Sequence, residues 1–438
     1  MKYYFYIDNF RGFCNACIPI TDVNFLVGEN STGKTSVLSL MKLMSGPRFL
    51  LNPEFGDEHV SFGHFSDMVS AHADNKSYFR IGVIWEQEDR KKTISTGCLL
   101  TFVAEEGLPR LAKCTVSRGT EKVTIRFRGN ATYYKRERYE TAPTPQEITS
   151  TLLPKWIDEH CGTSDGYTKL IMPSGFSGKM PVLLVLSLIW GQSDRKGNNK
   201  KEESLAFYPP DFTFPPQLTW VAPIRTKPSR TYDELTLDFS PEGTHTPYLI
   251  RRLLHSKSTA ARFRAFIKKV GKASGLFQDV QIKNFGRGSA APFEVDIVLD
   301  EKALNLSTVG YGVSQSLPVL VEALARTPGT WFAIQQPEVH LHPRAQAALG
   351  DVFFELAITD HKRFLIETHS DYTIDRFRMN YRNGRTNKPD SQILFFERRD
   401  KRNIVTPLRI GEKGELPSDQ PDSYREFFIR EEMGLLRI

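Results

Sequence analysis

The chain has 438 residues, of which 40% are hydrophobic and 25% charged. That composition excludes a wholly disordered or fibrous protein, and the length predicts two or three domains or one large domain with insertions. With 58 Lys and Arg against 51 Asp and Glu, the net charge is +7, an excess that permits phosphate contact without establishing it. The 5 cysteines, an odd number, argue against a disulfide scaffold and for a reducing compartment. The longest apolar run, Met180 to Trp190, is too short to span a bilayer. The opening MKYYFYIDNFRGF lacks the apolar region of a signal peptide. A soluble, cytoplasmic protein with no membrane partner is expected.

In chain order, Tyr3 to Ile7 alternates as a first strand does, and Val23 to Val27 reads as a buried second one. Residues 28–35 form a glycine-containing loop. Val37, Leu38, Leu40, Met41 and Met44 then mark one face of a helix over Ser36 to Met44, stopped by Gly46-Pro47. From Tyr78 to Phe127, short alternating runs predict an antiparallel sheet. Residues 128–205 read as an insertion. It holds a basic, tyrosine-bearing stretch (Thr132 to Tyr139), a helix over Glu147 to His160, an apolar helix at Met180 and the polar segment GQSDRKGNNKKEES, read as a mobile loop. The second half predicts a strand at 218–225, a charged helix from Tyr248 to Val270, and strands at Val280 and over Phe293 to Leu299. A helix over Leu317 to Arg326 follows. Two strand-loop units, TWFAIQQPE and RFLIETHS, flank a helix over Pro343 to Thr359. A terminal hairpin, ILFFERRDKRNIVTPLRI, turns at RRDKR. There is no heptad run, so no long coiled-coil arm is expected.

The strongest chemical signal is Gly28-Glu29-Asn30-Ser31-Thr32-Gly33-Lys34-Thr35, which fits G-x-x-x-x-G-K-[ST]. Glycines let the backbone curl so that successive N–H groups face phosphate oxygens, and the following helix adds its positive end. Asn30, Ser31, Thr32 and Gly33 would line that cradle. Lys34 supplies a point charge to the β- and γ-phosphates, and Thr35 a hydroxyl to magnesium. ATP and Mg2+ are the cofactors this pattern calls for. A preceding strand and a following amphipathic helix set the loop apart from a coincidental turn.

Such a protein needs a second strand that ends in carboxylates, and Trp331-Phe332-Ala333-Ile334-Gln335-Gln336-Pro337-Glu338-Val339-His340-Leu341-His342-Pro343 is the candidate. The run resembles the "EEPE-hLHP" segment of ABC-class, AAA-family ATPases related to the SMC, OLD and Septu-type proteins. Asn9-Phe10-Arg11 is similar to their "NFr-f" opening, Gly310 to Pro318 (GYGVSQSLP) to their form of the ABC signature, and Glu367-Thr368-His369-Ser370 to their switch-histidine loop. The resemblance implies an α/β fold. The fold it implies is a P-loop NTPase head of ABC type with a mixed sheet flanked by helices, an antiparallel β subdomain, an inserted helical or irregular segment and a C-terminal β-hairpin. Residues 1–127 and 206–438 would be the two halves of the head and 128–205 the insertion. It further implies that two heads meet through nucleotide, as a homodimer or a higher homo-oligomer. Ser314 and the backbone at Gly312 of one head would then meet the phosphate held by Lys34 of the other, and His369 would sense it. Taken alone, His369 is an ordinary core or surface histidine, and Ser314 an N-cap of the helix over Leu317 to Arg326.

The departure lies at Gln335 and Gln336, where the resembled family has a magnesium-linked carboxylate and then a catalytic glutamate. Gln335 can orient a water of magnesium's shell but brings no charge, and the amide of Gln336 cannot accept a proton from attacking water. Hydrolysis is expected to be slow, or to depend on Glu338, the nearest carboxylate, which reads equally well as loop structure. His340 and His342 would point the same way from an extended segment. Without a third ligand, loop-positioning contacts at the dimer interface suit them better than a metal. Cys14 and Cys17, a lone C-x-x-C, read as packing. Arg225, in a "P-hR" element of the same resemblance, is assigned no catalytic role, a surface ion pair being the plain alternative. Tyr133-Tyr134-Lys135-Arg136-Glu137-Arg138-Tyr139 has a composition that can stack bases, although a solvated face is the simpler reading.

Two functions follow. One is an ATP-gated switch that acts on a separate effector such as a nuclease, in bacterial genome maintenance or phage defence. No nuclease motif occurs in this chain. The other is an ATP-hydrolysing DNA repair clamp or motor. A transporter ATPase is disfavoured, since nothing indicates a membrane partner.

Overall fold

The computed structural model describes residues 3–46, 49, 51–89, 92–129, 131–158, 166–171, 181–191, 218–233, 238–288, 291–384 and 386–427. The chain divides into two units: Met1–Thr21, Glu29–Gln217 and Phe396–Val405 form one, and Asp22–Gly28, Leu218–Phe395 and Thr406–Ile438 the other.

The first unit is organised by an antiparallel sheet of β1 (Tyr3–Asp8), β2 (Ala16–Ile20), β4 (Tyr78–Asp89), β5 (Lys92–Glu105), β6 (Leu108–Arg118), β7 (Glu121–Arg128), β8 (Ala131–Arg138) and β9 (Thr168–Lys169), in the order β2-β1-β4-β5-β6-β7-β8-β9. Turn chemistry sets its register. Glu105 pairs with Leu108 across Glu106 and Gly107, both left-handed (φ 52 and 79), as a two-residue hairpin turn that matches strand twist requires. One face packs edge-on phenylalanines, Phe55 against Phe102 at 4.9 Å and Phe10 against Phe79 at 5.3 Å. Three short helices, α1 (Lys34–Ser45), α2 (Phe65–Met68) and α3 (Pro145–Glu147), also belong here. α3 opens with a Thr144–Glu147 capping box and runs through a π-helical turn (Ile148–Leu152) into α4 (Leu153–Asp158). Ile148, Leu153 and Trp156 of this segment are buried against Tyr6, Ile84 and Leu99. A Cβ at Gly97 would lie 3.0 Å from the Trp156 ring.

The basic stretch in 128–205 is β8, paired along its length with β7. Its Arg136 meets Glu121 at 2.8 Å, and Lys135 meets Glu137 at 3.0 Å. Those cations serve the sheet, which favours the solvated-face reading over base stacking. The apolar helix is α5 (Val182–Gly191). The polar segment after Gly191 and the end of the helix predicted to His160 lie outside the described residues. Among the described residues no helix is long and apolar enough to cross a membrane.

The second unit is built on β3 (Val23–Gly28), β10 (Leu218–Val221), β14 (Trp331–Gln335), β15 (Arg363–Glu367), β16 (Ser391–Arg399) and β17 (Arg402–Arg409), in the order β10-β14-β15-β3-β16-β17. The first four in that order run parallel. Parallel strands are covered on both faces and so read as unbroken apolar runs, as WFAIQ does, with every residue buried. β16 and β17 form the expected hairpin, turning at left-handed Asp400 and Lys401. A smaller antiparallel sheet, β11 (Asp279–Asn284), β12 (Phe293–Leu299) and β13 (Lys302–Asn305), accompanies α6 (Thr246–His255) and α7 (Lys257–Ser274). The single charged helix expected from Tyr248 to Val270 is thus two, divided where Ser256 adopts an extended ψ of 125°.

The remaining helices are α8 (Tyr311–Ala325), α9 (Pro343–Thr359) and α10 (Asp371–Met379). A Cβ at Gly350 of α9 would lie 2.4 Å from Thr373 O of α10, so the two backbones approach as closely as glycine allows. α8 starts six residues before the predicted Leu317, because Gly310 caps it and the glycine-serine run continues as helix through Pro318. At its far end the fully buried Lys362 ammonium donates to Ala323 O and Leu324 O and pairs with Asp360 at 2.9 Å. It satisfies carbonyls that a helix C-terminus leaves open. Lys362→Met should therefore strand both carbonyls and Asp360, and lower the urea-unfolding free energy by about 2–4 kcal/mol.

Candidate functional site

The first unit carries the glycine-containing loop. Gly33 is the N-cap of α1 at φ 96, with no side-chain cap and no acidic residue in the helix's first turn. A Cβ there would lie 2.5 Å from the Phe13 ring, so glycine is required both by conformation and by space. Ser31 is also left-handed (φ 62), and its carbonyl accepts from Arg398 Nη2 at 2.8 Å. Thr32 Oγ1 donates to Glu29 O at 2.8 Å, and the buried Lys34 Nζ to the same carbonyl at 2.7 Å. Asn30, Ser31 and Thr35 are exposed. An uncapped helix start, with a curled loop before it, Lys34 at its first position and no acidic residue in its first turn, suits a phosphate chain, so these residues fit ATP.

The second unit carries the other motifs. Gln335 ends β14, 6% exposed, and its Nε2 donates to Glu367 Oε2 at 2.9 Å. Gln336 is left-handed (φ 43) and half-buried, and its N–H donates to Glu367 O at 2.7 Å. Glu338 is buried, and its Oε1 accepts the His369 backbone N–H at 2.7 Å. Its Oε2 has no hydrogen-bond partner among the described residues. Burial pushes the Glu338 carboxyl above the usual glutamate range, opposed by the His369 N–H and by the charge of Arg225. The His369 ring is exposed, with Phe427 at 6.5 Å.

Ser314 lies inside the first turn of α8 and not at its cap. Its Oγ donates to Tyr311 O at 3.0 Å, which corrects the N-cap reading. Gly312 packs so tightly on the loop after Glu338 that a Cβ would stand 2.8 Å from His340 O. His340 is left-handed (φ 65), so the segment is not extended, and the two histidines part company. His340 meets the Tyr311 ring at 5.7 Å, whereas His342 caps α9 through Ala345 N–H. Among the described residues no group of three His, Cys, Asp or Glu could hold a metal.

Two further residues stand among these motifs. Glu367 belongs to the switch-loop segment, and the sequence gives it no role of its own. Arg225, set aside as a surface residue, is 4% exposed. Its Nη2 donates to Gln335 O at 3.0 Å and Gln336 O at 3.3 Å, and Gln315 of α8 clasps its backbone N–H and carbonyl at 3.2 and 3.3 Å. Burial lowers the guanidinium to about 10, with Glu338's charge opposing. Only burial itself could have flagged it, and a lone arginine after a short strand carries no such mark.

The family model described as AAA ATPase domain matches residues 1–204 and 232–374. The chain belongs to that family. As an AAA ATPase it has the anticipated α/β class, with an antiparallel sheet in the first unit, parallel strands in the second and a terminal hairpin. Among solved structures it is similar to the SMC head domain from Thermotoga maritima, at 11% identity over 93% of this chain and 97% of that one, with a TM-score of 0.39. It is likewise similar to the Pyrococcus furiosus Smc head domain bound to the C-terminal domain of ScpA, at 12% identity over 99% and 100%, with a TM-score of 0.42. No curated protein matches the chain.

Arg225→Met should leave two buried carbonyls and the Glu338 charge unmet, lowering the unfolding free energy by about 2–4 kcal/mol in urea titration. Gly33→Ala should abolish binding of a fluorescent ATP analogue and, because the added Cβ meets the buried Phe13 ring, lower the thermal midpoint as well.

Proposed function

We propose that this AAA ATPase is an ATP-gated switch. Two heads close on nucleotide, hydrolysis is slow, and the closed dimer controls a separate effector such as a nuclease in bacterial genome maintenance or phage defence. The observation that carries the reading is that the sequence has Gln335 and Gln336 at the end of β14 and also keeps an intact loop at 28–35 and a signature at 310–318. Binding parts are complete and hydrolytic parts are reduced.

In this reading the backbone from Asn30 to Gly33 and the start of α1 bind phosphate oxygens, and Lys34 leaves Glu29 O to neutralise them. Magnesium, when bound with ATP, supplies positive charge that offsets the phosphates, and Thr35 and Gln335 would face its shell. The N-terminal turn of α8, with Gly312 and Ser314, engages the nucleotide of a second copy, and the exposed His369 senses its terminal phosphate. Gln336 holds the attacking water without taking its proton. Glu338, its carboxyl pushed above the usual glutamate range by burial, is the one carboxylate left on this loop to accept it.

A second reading, an ATP-hydrolysing clamp on DNA, draws support from α6 and α7. No Asp or Glu occurs between Glu242 and Asp279. Arg251, Arg252, His255 and Arg264 line a groove of about 860 Å3 there. Such a face suits a phosphate backbone.

Nucleotide binding, oligomer mass and turnover measured together test the proposal. Tight ATP binding, a dimer with ATP only, and negligible turnover are expected. Lys34→Ala should lose binding, and Ser314→Arg should bind ATP yet stay monomeric. Turnover that is robust in the unaltered chain and stimulated by duplex DNA would replace the switch with the clamp. Gln336→Glu should raise turnover by about a hundred- to ten-thousandfold by restoring a base, and Glu338→Gln should remove the residual rate. Because the carboxylate form is the active one, that residual rate should fall on acidification at a pH above the ordinary glutamate range.

A further inference from the structure

α6 and α8 of the second unit meet beside Gly243, which is left-handed (φ 84) and so close to α8 that a Cβ would stand 2.7 Å from Pro318 Cβ. A cavity of about 230 Å3 lies there, with every lining residue in the second unit. Ile250 of α6 and Leu317 of α8 make it partly apolar. Two hydroxyls in the lining are left over. Thr246, 3% exposed, donates its backbone N–H to Gly243 O at 3.0 Å, but its Oγ1 has no hydrogen-bond partner among the described residues. The buried Tyr232 hydroxyl, close to the Ser229 main chain, has none either. Burial pushes that phenol up to about 12, so it keeps its proton and can donate. Tyr232 is held in place, since its main chain exchanges bonds of 2.9 and 3.1 Å with Phe293 and its ring lies 5.4 Å from that of Phe293. Buried hydroxyls without partners are uncommon and costly. Water would satisfy them, but the charges ask for more. Lys227 and Asp233 line the same cavity, both exposed, and neither side chain has an ion pair or hydrogen bond among the described residues.

We propose that this cavity binds a free α-amino acid, with Asp233 facing its ammonium, Lys227 its carboxylate, and the Thr246 and Tyr232 hydroxyls completing the hydrogen bonds of those groups. A ligand of one charge would be attracted by one of the two ionic side chains and repelled by the other. A ligand that carries both charges gains from each. Size agrees, because about 230 Å3 is the space of roughly seven or eight waters and falls below the roughly 300–1,000 Å3 of sites for drug-sized molecules. An amino acid fits such a volume and a nucleotide does not. Its side chain would rest on Ile250 and Leu317. Ser314 also lines the cavity, so an occupant would touch the first turn of α8. No residue of the nucleotide loop takes part, and the site stands whether or not the switch reading holds.

The twenty standard L-amino acids, titrated one at a time into the nucleotide-free full chain by calorimetry at millimolar concentration, test the site. At least one should bind and raise the thermal midpoint. Its amide and its N-acetyl derivative, each lacking one charge, should bind about tenfold more weakly or worse. Lys227→Ala and Asp233→Ala, at exposed positions, should each lose about tenfold in affinity. Thr246→Val, which keeps the shape and removes the hydroxyl, should lose about as much. A chain that binds none of the twenty overturns the proposal. So does an amino acid that binds equally well with either end blocked, the behaviour of a peptide segment. Affinity unchanged in both charge variants also overturns it, as adventitious binding only. Should Thr246→Val not fold, Lys227→Ala and Asp233→Ala still decide.

Discussion

One buried guanidinium organises the chemistry of the second unit. Arg225 is planar and always charged, and a planar fork is well suited to hold two carbonyls at once. Its Nη2 spans Gln335 O and Gln336 O, while its main chain is clasped by Gln315. The first turn of α8 is therefore tied through one residue to the loop that leaves β14. A burial of this depth is costly for a cation, and two carbonyls, the clasp and the nearby Glu338 charge are what offset it. Nε and Nη1 have no hydrogen-bond partner among the described residues, and neither has Glu338 Oε2.

From that anchor the geometry of the loop follows. Gln336 is left-handed because its N–H must reach Glu367 O while its carbonyl stays with Arg225. Glu338 then folds back to cap the His369 N–H. His340 turns left-handed under Gly312, where no side chain fits. Signature, strand end and switch loop are thus a single hydrogen-bonded assembly within one unit, and movement of any member would be felt by the others.

The parts of this architecture that rest on short-range pattern were readable in the amino-acid sequence. Unbroken apolar runs announced β3, β14 and β15, Pro343 at the first turn and the apolar face after it announced α9, and the RRDKR turn announced the hairpin. What could not be read depends on tertiary packing. α8 begins six residues before the expected Leu317, because glycine and serine are poor helix formers until packing favours them, here where Gly312 meets His340 O. The break at Ser256 was masked by continuous helical periodicity on both sides. Arg225 and Glu367 carry roles that depend on partners far away in sequence, at separations of 110 and 32 residues, and such pairings leave no local trace. The nucleotide-loop motif stands out because it is local, two glycines five residues apart followed at once by Lys34 and Thr35.

The support under that loop has a different origin. Arg398 holds Ser31 O across 367 residues, and Asn403 binds Arg11 O across 392. Contacts of such span are slow to form, since the intervening chain must close first. A ribosome making this protein releases the nucleotide loop hundreds of residues before the strands that brace it. The nascent polypeptide must therefore wait, with its phosphate cradle unbraced, until Arg398 has emerged, and a product cut short before Arg398 would carry the motif without its scaffold.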